Sequence, residues 1–194
     1  MKNLDNYISE RLITEKLKLG KASGYTCSPT NKEELHNIIA KRLKENPDAN
    51  LNDIDVSQII HMSCLFGGLD PHNINISEWD VSNVEDMRSM FLDCYNFNSD
   101  LSAWDVSKVT TMEHMFAYCE NFNSDLSKWD VSKVTNMDEM FAYCDNINAD
   151  LSKWNVSNVK SWIGFAVAAP YNLEANYNLL PHWPKKKDPH KKRK

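Results

Sequence analysis

The chain matches itself at a fixed offset of 25 residues, and no other feature constrains its fold as strongly. Residues 79–103 read WDVSNVEDMRSMFLDCYNFNSDLSA, residues 104–128 read WDVSKVTTMEHMFAYCENFNSDLSK, and residues 129–153 read WDVSKVTNMDEMFAYCDNINADLSK. Residues 54–78 are a weaker copy at the front, and residues 154–169 begin a further copy and then lose it. A repeat of this size buries its apolar face only against its neighbours, so the units must stack.

The spacing within a unit predicts its local shape. Met87, Met90, Phe91 and Cys94 sit at i, i+3, i+4 and i+7, one face of a short helix. The alternation of Phe97, Ser99 and Leu101 suits a short strand. The expected fold class is therefore an α/β repeat solenoid: a leucine-rich-repeat-like, right-handed coil of about five units. Identical positions become ladders, such as Trp79, Trp104, Trp129 and Trp154. Each large side chain so buried contributes roughly 1.5–3 kcal/mol before chain entropy is subtracted.

A stack has two raw ends that need covers. Residues 1–53 are expected to form a helical N-terminal cap, with one amphipathic helix near 4–18. A second helix is expected to start at Thr30, with Glu33 completing a capping box and Leu35, Ile38, Ile39 and Leu43 on its apolar face. Residues 170–184 are the expected C-terminal cap, and 185–194 a disordered basic tail.

The repeat, written WDVSNVxxMxxMFxxCxxFNxDLSxW, resembles that of the BspA-like leucine-rich-repeat surface proteins, the DUF285 repeat family. The resemblance covers residues 54–169, and the segment TNKEELHNIIAKRL resembles the leader of short members. It implies a solenoid with a binding role and no catalysis. Ile54 stands where later units have Trp, and Leu69 where they have Cys.

Charge narrows the partner. Residues 52–158 hold 5 basic and 18 acidic side chains. Such a body is a poor nucleic-acid groove, because phosphate binding needs clustered Lys and Arg. A protein partner with a basic surface fits it better. The tail inverts this balance with Lys185, Lys186, Lys187, Lys191, Lys192, Arg193 and Lys194, so nucleic acid could be touched through it or as part of a nucleoprotein target.

The residues carry no catalytic signature: no GxxxxGK[ST], GxSxG, HExxH or Gly-rich dinucleotide turn occurs. No enzyme activity, cofactor or metal is expected. Cys94, Cys119 and Cys144 form a ladder, which reads as buried thiols because tetrahedral ligation needs convergent side chains. Asp80, Asp105 and Asp130 form one acidic ladder, and Asp100, Asp125 and Asp150 another. These are expected to cap turns, with calcium between units as the sharper alternative. Asn98, Asn123 and Asn148 are expected to form an amide ladder.

Specificity must lie on positions that differ between units. Arg88, Glu113, His114, Tyr118, Asp138, Glu139 and Tyr143 are therefore the candidate partner-binding residues. The leading expectation is a non-catalytic protein-binding solenoid that uses this acidic, Tyr-bearing face. An alternative is an intracellular inhibitor of a nucleic-acid-handling enzyme, such as a phage-encoded, anti-CRISPR-like anti-defence protein; a third is an exported adhesin. The N-terminal residues carry no signal-peptide pattern and no stretch long enough to span a membrane, so a cytoplasmic location and no membrane partner are expected.

Overall fold

The computed structural model describes residues 24–169 and 179–184. Among them the only α-helix is α1, Lys32–Glu45. The helix expected at 4–18 and the tail at 185–194 lie outside the described residues, as does most of the expected C-terminal cap.

Helix α1 begins one residue later than expected. Asn31 is the N-cap: its backbone is extended, and its side chain accepts the Glu34 N–H at 2.9 Å. Glu34 reaches back to the Thr30 N–H at 2.8 Å and to its hydroxyl at 3.1 Å. Asn31 therefore caps in place of Thr30, and Glu34 in place of Glu33 reaches back to the residue before the cap, because the extended backbone that an N-cap needs falls at Asn31. Leu35, Ile39 and Leu43 are buried against the first repeat unit, and Ile38 is partly buried there.

The units pair in register at 25 residues. Parallel bridges join His61 to Asp86, Asp86 to Thr111, Thr111 to Asn136, and Asn136 to Ser161. From there, alternate N–H groups cross to the next unit. Met87, Ser89, Phe91 and Asp93 donate to the carbonyls of Thr111, Glu113, Met115 and Ala117 at 2.8–3.2 Å. Met112, His114, Phe116 and Tyr118 repeat the set, as do Met137, Glu139, Phe141 and Tyr143. The intervening N–H groups of Met90, Leu92 and Cys94 close local turns onto Met87, Ser89 and Phe91.

This replaces the helix expected over 87–94. The backbone is left-handed at Ser89 (φ 52°) and Asp93 (φ 60°), and at the same two positions in the following units. A left-handed residue every fourth position breaks an α-helix and turns alternate N–H groups outward. Successive turns still leave positions i, i+3, i+4 and i+7 facing inward, which is why their spacing imitates a helix.

The expected strand is also modified. Exposure alternates as foreseen, with Phe97, Leu101 and Ser99 inside and Asn96, Asn98 and Asp100 outside. The rungs are side chains, however. The Asn123 N–H donates to Asn98 Oδ1 at 2.9 Å, and the Leu101 N–H to Ser124 Oγ at 2.9 Å. Among the described residues, backbone pairing between units on this edge is confined to its start, where the Asn75 N–H donates to Ala49 O and the Leu51 N–H to Asn75 O, and to one bond from the Asn121 N–H to Tyr95 O.

Aromatic rings fill the centre. Phe91, Phe116 and Phe141 stack with centroids 5.5 Å apart, and Phe97 lies 4.1 Å from Phe91. Each repeat Trp donates its indole N–H to a carbonyl 28 residues earlier; Trp129 reaches Leu101 O at 3.0 Å. An indole N–H buried without such a partner would cost stability.

The two ends are treated differently. On the first unit, carbonyls face α1: Lys32 Nζ donates to Ser63 O at 2.9 Å, and His36 Nδ1 lies 2.8 Å from Leu65 O. A carbonyl only accepts, so His36 carries its proton on Nδ1. On the last unit, Trp183 stacks on Trp162 at 5.2 Å and meets Phe165 edge-on, while Leu151 donates to Leu179 O.

Replacing Ser124 by Ala would leave the buried Leu101 N–H without its acceptor. Denaturant unfolding should show a loss of about 1–3 kcal/mol, whereas Ser102→Ala, at a more exposed site, should change stability by less than about 0.5 kcal/mol. Equal effects would show that the side-chain rungs are not structural.

Candidate interaction surface

The left-handed positions place side chains on the outside of the stack. They are Cys64, Ser89, His114 and Glu139 in one column, and Asp93, Tyr118 and Tyr143 in another. Their backbones are fixed by the inter-unit hydrogen bonds, so these side chains sit on a rigid base.

Tyr118 and Tyr143 stack face to face, with centroids 4.6 Å apart and planes 4° from parallel. Both remain exposed, at 38% and 41%. Desolvation by the neighbouring ring, followed by the influence of Tyr143, Glu139 and Asp93, pushes the Tyr118 hydroxyl above its ordinary range. His114 lies between two carboxylates, with Nδ1 3.7 Å from Glu113 and Nε2 3.5 Å from Glu139. Tyr118, Tyr143, His114, Glu113 and Glu139 thus form one continuous face.

Two of the expected residues play other parts. Arg88 is folded onto its own unit, donating from Nη2 to Asp86 at 2.7 Å and from Nε at 3.0 Å. Burial raises the Asp86 carboxyl, but the Arg88 hydrogen bonds outweigh it and hold the group below its ordinary range. Asp138 Oδ1 accepts both the Ser161 hydroxyl and the Ile163 N–H at 2.6 Å. That carboxylate anchors the last unit, so Asp138 is a structural residue with little left to offer a partner. The seven basic tail residues lie outside the described residues.

Residues absent from the expectation adjoin this face. Tyr95 is 44% exposed, and Ile163 and Val167 are 67% and 40% exposed on the last unit. The carbonyls of Ile163 and Val167 accept the N–H groups of Glu139 and Tyr143, which places them directly after those residues. The signal was present in the repeat: position ten of the unit runs Arg88, Glu113, Asp138 and then Ile163, an apolar residue where charges precede it.

The cysteine ladder is inert. Cys119 Sγ donates to Phe91 O at 3.0 Å and Cys144 Sγ to Phe116 O at 2.9 Å. Burial pushes all three thiols up, Cys144 to about 12, so none is a thiolate at neutral pH. Among the described residues no three His, Cys, Asp or Glu side chains converge as metal ligands.

Both aspartate ladders close turns. Asp105 and Asp130 accept the N–H of Ser107 and Ser132 at 3.0 Å, and Asp100, Asp125 and Asp150 do the same for the serine two residues on. These bonds hold the carboxyls below their ordinary range. Asn155 makes the same contact to Ser157 with an amide.

A family model described as Mycoplasma protein of unknown function, DUF285, matches residues 34–129 and 101–177. The chain belongs to this family. The matched region takes in most of α1 and every Trp and Phe ladder of the stack. No curated protein and no solved structure matches the chain. No helix among the described residues is long and apolar enough to cross a membrane.

Two measurements check these assignments. A group whose carboxyl is lowered on folding stabilises the fold above its unfolded pKa and loses that effect as pH falls through the folded value. Thermal stability should therefore be flat near neutrality and decline below about pH 4. The pair Asp105→Asn and Asp130→Asn should keep the fold and weaken that decline; an unchanged profile would exclude these carboxylates. In a thiol-reactive titration of the native chain, exposed Cys64 should react while Cys94, Cys119 and Cys144 stay protected until unfolding.

Proposed function

We propose that the chain is a leucine-rich-repeat-like, right-handed solenoid of about five units that works as a non-catalytic protein-binding module. Its partner presents a basic surface to the acidic, tyrosine-bearing face. The observation that carries this reading is the exposed, parallel stack of Tyr118 and Tyr143 beside Glu113, Glu139 and Asp93. Stacked tyrosines offer a large contact area with few rotatable bonds, and tyrosine is enriched where partners bury surface. A guanidinium laid on such a stack gains from the ring face and from the flanking carboxylates together.

The rest of the molecule supports a static surface. The left-handed residues that carry the face are fixed through the backbone, so binding orders little that is not already ordered. The ladder thiols of Cys94, Cys119 and Cys144 are buried and protonated, so they belong to the packed interior and not to the face.

The test is affinity capture from cell lysate with the full chain and with a Tyr118→Ala, Tyr143→Ala variant, each with and without nuclease. A single protein should be retained by the parent chain regardless of nuclease, weakened by added salt, and lost in the variant. Retention that disappears with nuclease would favour a nucleoprotein target instead, and retention indifferent to the tyrosines would remove this face from the mechanism.

A further inference from the structure

A second outward face is built from amides whose orientation is fixed by their partners. Along 96–101 and its copies at 121–126 and 146–151, every second side chain points out. The first outward column is Asn96, Asn121 and Asn146. Each holds its amide nitrogen against the preceding unit: Nδ2 donates to Asp70 at 3.1 Å, to Tyr95 O at 3.1 Å and to Glu120 O at 2.8 Å. The second column is Asn98 and Asn123, which do the reverse. Their Oδ1 atoms accept the N–H of Asn123 at 2.9 Å and of Asn148 at 3.0 Å.

The consequence is a sorted surface. An exposed amide whose nitrogen is held by a carboxylate or carbonyl keeps its oxygen as the atom left for a ligand, and one whose oxygen is held by an N–H keeps its NH₂. Column one is therefore a row of acceptors and column two a row of donors, repeating once per unit, and the Phe97 and Phe122 rings of the same edge lie 5.7 Å apart. With His72 and Asn73 they line a groove of about 560 Å³. Beside column two runs the carboxylate row of Asp100 and Asp125, where a smaller hollow of about 270 Å³ continues the groove.

The chemistry of the lining selects the ligand. The lining is polar, so an apolar ligand gains little. The aspartate row repels polyanions such as nucleic acid. An extended peptide repeats its N–H groups on one side about every 6.8 Å, out of step with these rows. Hydroxyl groups both donate and accept, and a chain of them can meet an acceptor row and a donor row at once.

We propose that the paired asparagine columns form a binding face for a neutral, hydroxyl-rich polysaccharide chain. The amides are anchored before binding, so little side-chain entropy is lost, and contacts repeated over three units reinforce one another. The groove is lined by none of the tyrosine-face residues, and the inference stands independently of the protein-binding reading.

The test is an array of neutral and anionic polysaccharides probed with the full chain, followed by side-chain amide NMR with the retained glycan. Binding should be confined to neutral glycans and should shift the NH₂ signals of Asn98 and Asn123. The substitution Asn123→Asp keeps the acceptor for the Asn148 N–H but removes the outward donor. It should weaken binding by about three- to tenfold with an unchanged melting profile. Should that variant unfold, the amide shifts of the parent chain decide alone. Preference for anionic glycans, no retained neutral glycan, amide signals that move only with a protein partner, or a folded variant that binds as before would overturn the proposal.

Discussion

The structure depends on one backbone arrangement: alternate N–H groups of each unit are donated to carbonyls 24 residues ahead. An isolated unit has no partner for these donors, and burying an unpaired N–H is costly. A unit is therefore not stable by itself and draws its stability from the contacts with its neighbours. The same arrangement requires a left-handed residue twice per unit, at positions filled by Ser, His, Glu, Asp and Tyr more often than by Gly. A left-handed side-chain-bearing residue costs roughly 1–2 kcal/mol. The inter-unit bonds and the ring stacks at 5.5 Å offset that cost and pin the exposed side chains in place.

The long-range plan was legible because it rests on identity. Trp, Phe, Met and Cys recur every 25 residues, and identical neighbours at fixed register pack as ladders. The aspartate turns were legible for a similar reason, since Asp followed two residues later by Ser is a local hydrogen-bonding unit. The local backbone was not. Inward positions at i, i+3, i+4 and i+7 arise equally from an α-helix and from consecutive turns with left-handed residues, and apolar spacing cannot separate them. Ser89 and Asp93 gave no Gly signal that would have marked the positive φ.

The same limit governs the surface. Variability between units singled out Tyr118, Tyr143, His114 and Glu139, and these do lie together. It also singled out Asp138, whose carboxylate the fold itself uses through Ser161 and Ile163. Variation marks a column as exposed or irregular without saying which. The asparagine columns show the converse: their repetition read as framework, yet these exposed amides use one polar atom to hold the fold and leave the other for a ligand. A repeat that satisfies its backbone with side chains also fixes what those side chains present.

Amide hydrogen exchange in the native full chain tests the central arrangement most directly. His114 and Tyr118 have solvent-accessible side chains, but their N–H groups are donated to Asp138 O and Ala142 O of the next unit. Their amides should exchange as slowly as that of buried Phe116, which belongs to the same row. Exchange of His114 and Tyr118 at the rate of an open loop, with Phe116 protected, would contradict the donation between units on which the rest depends.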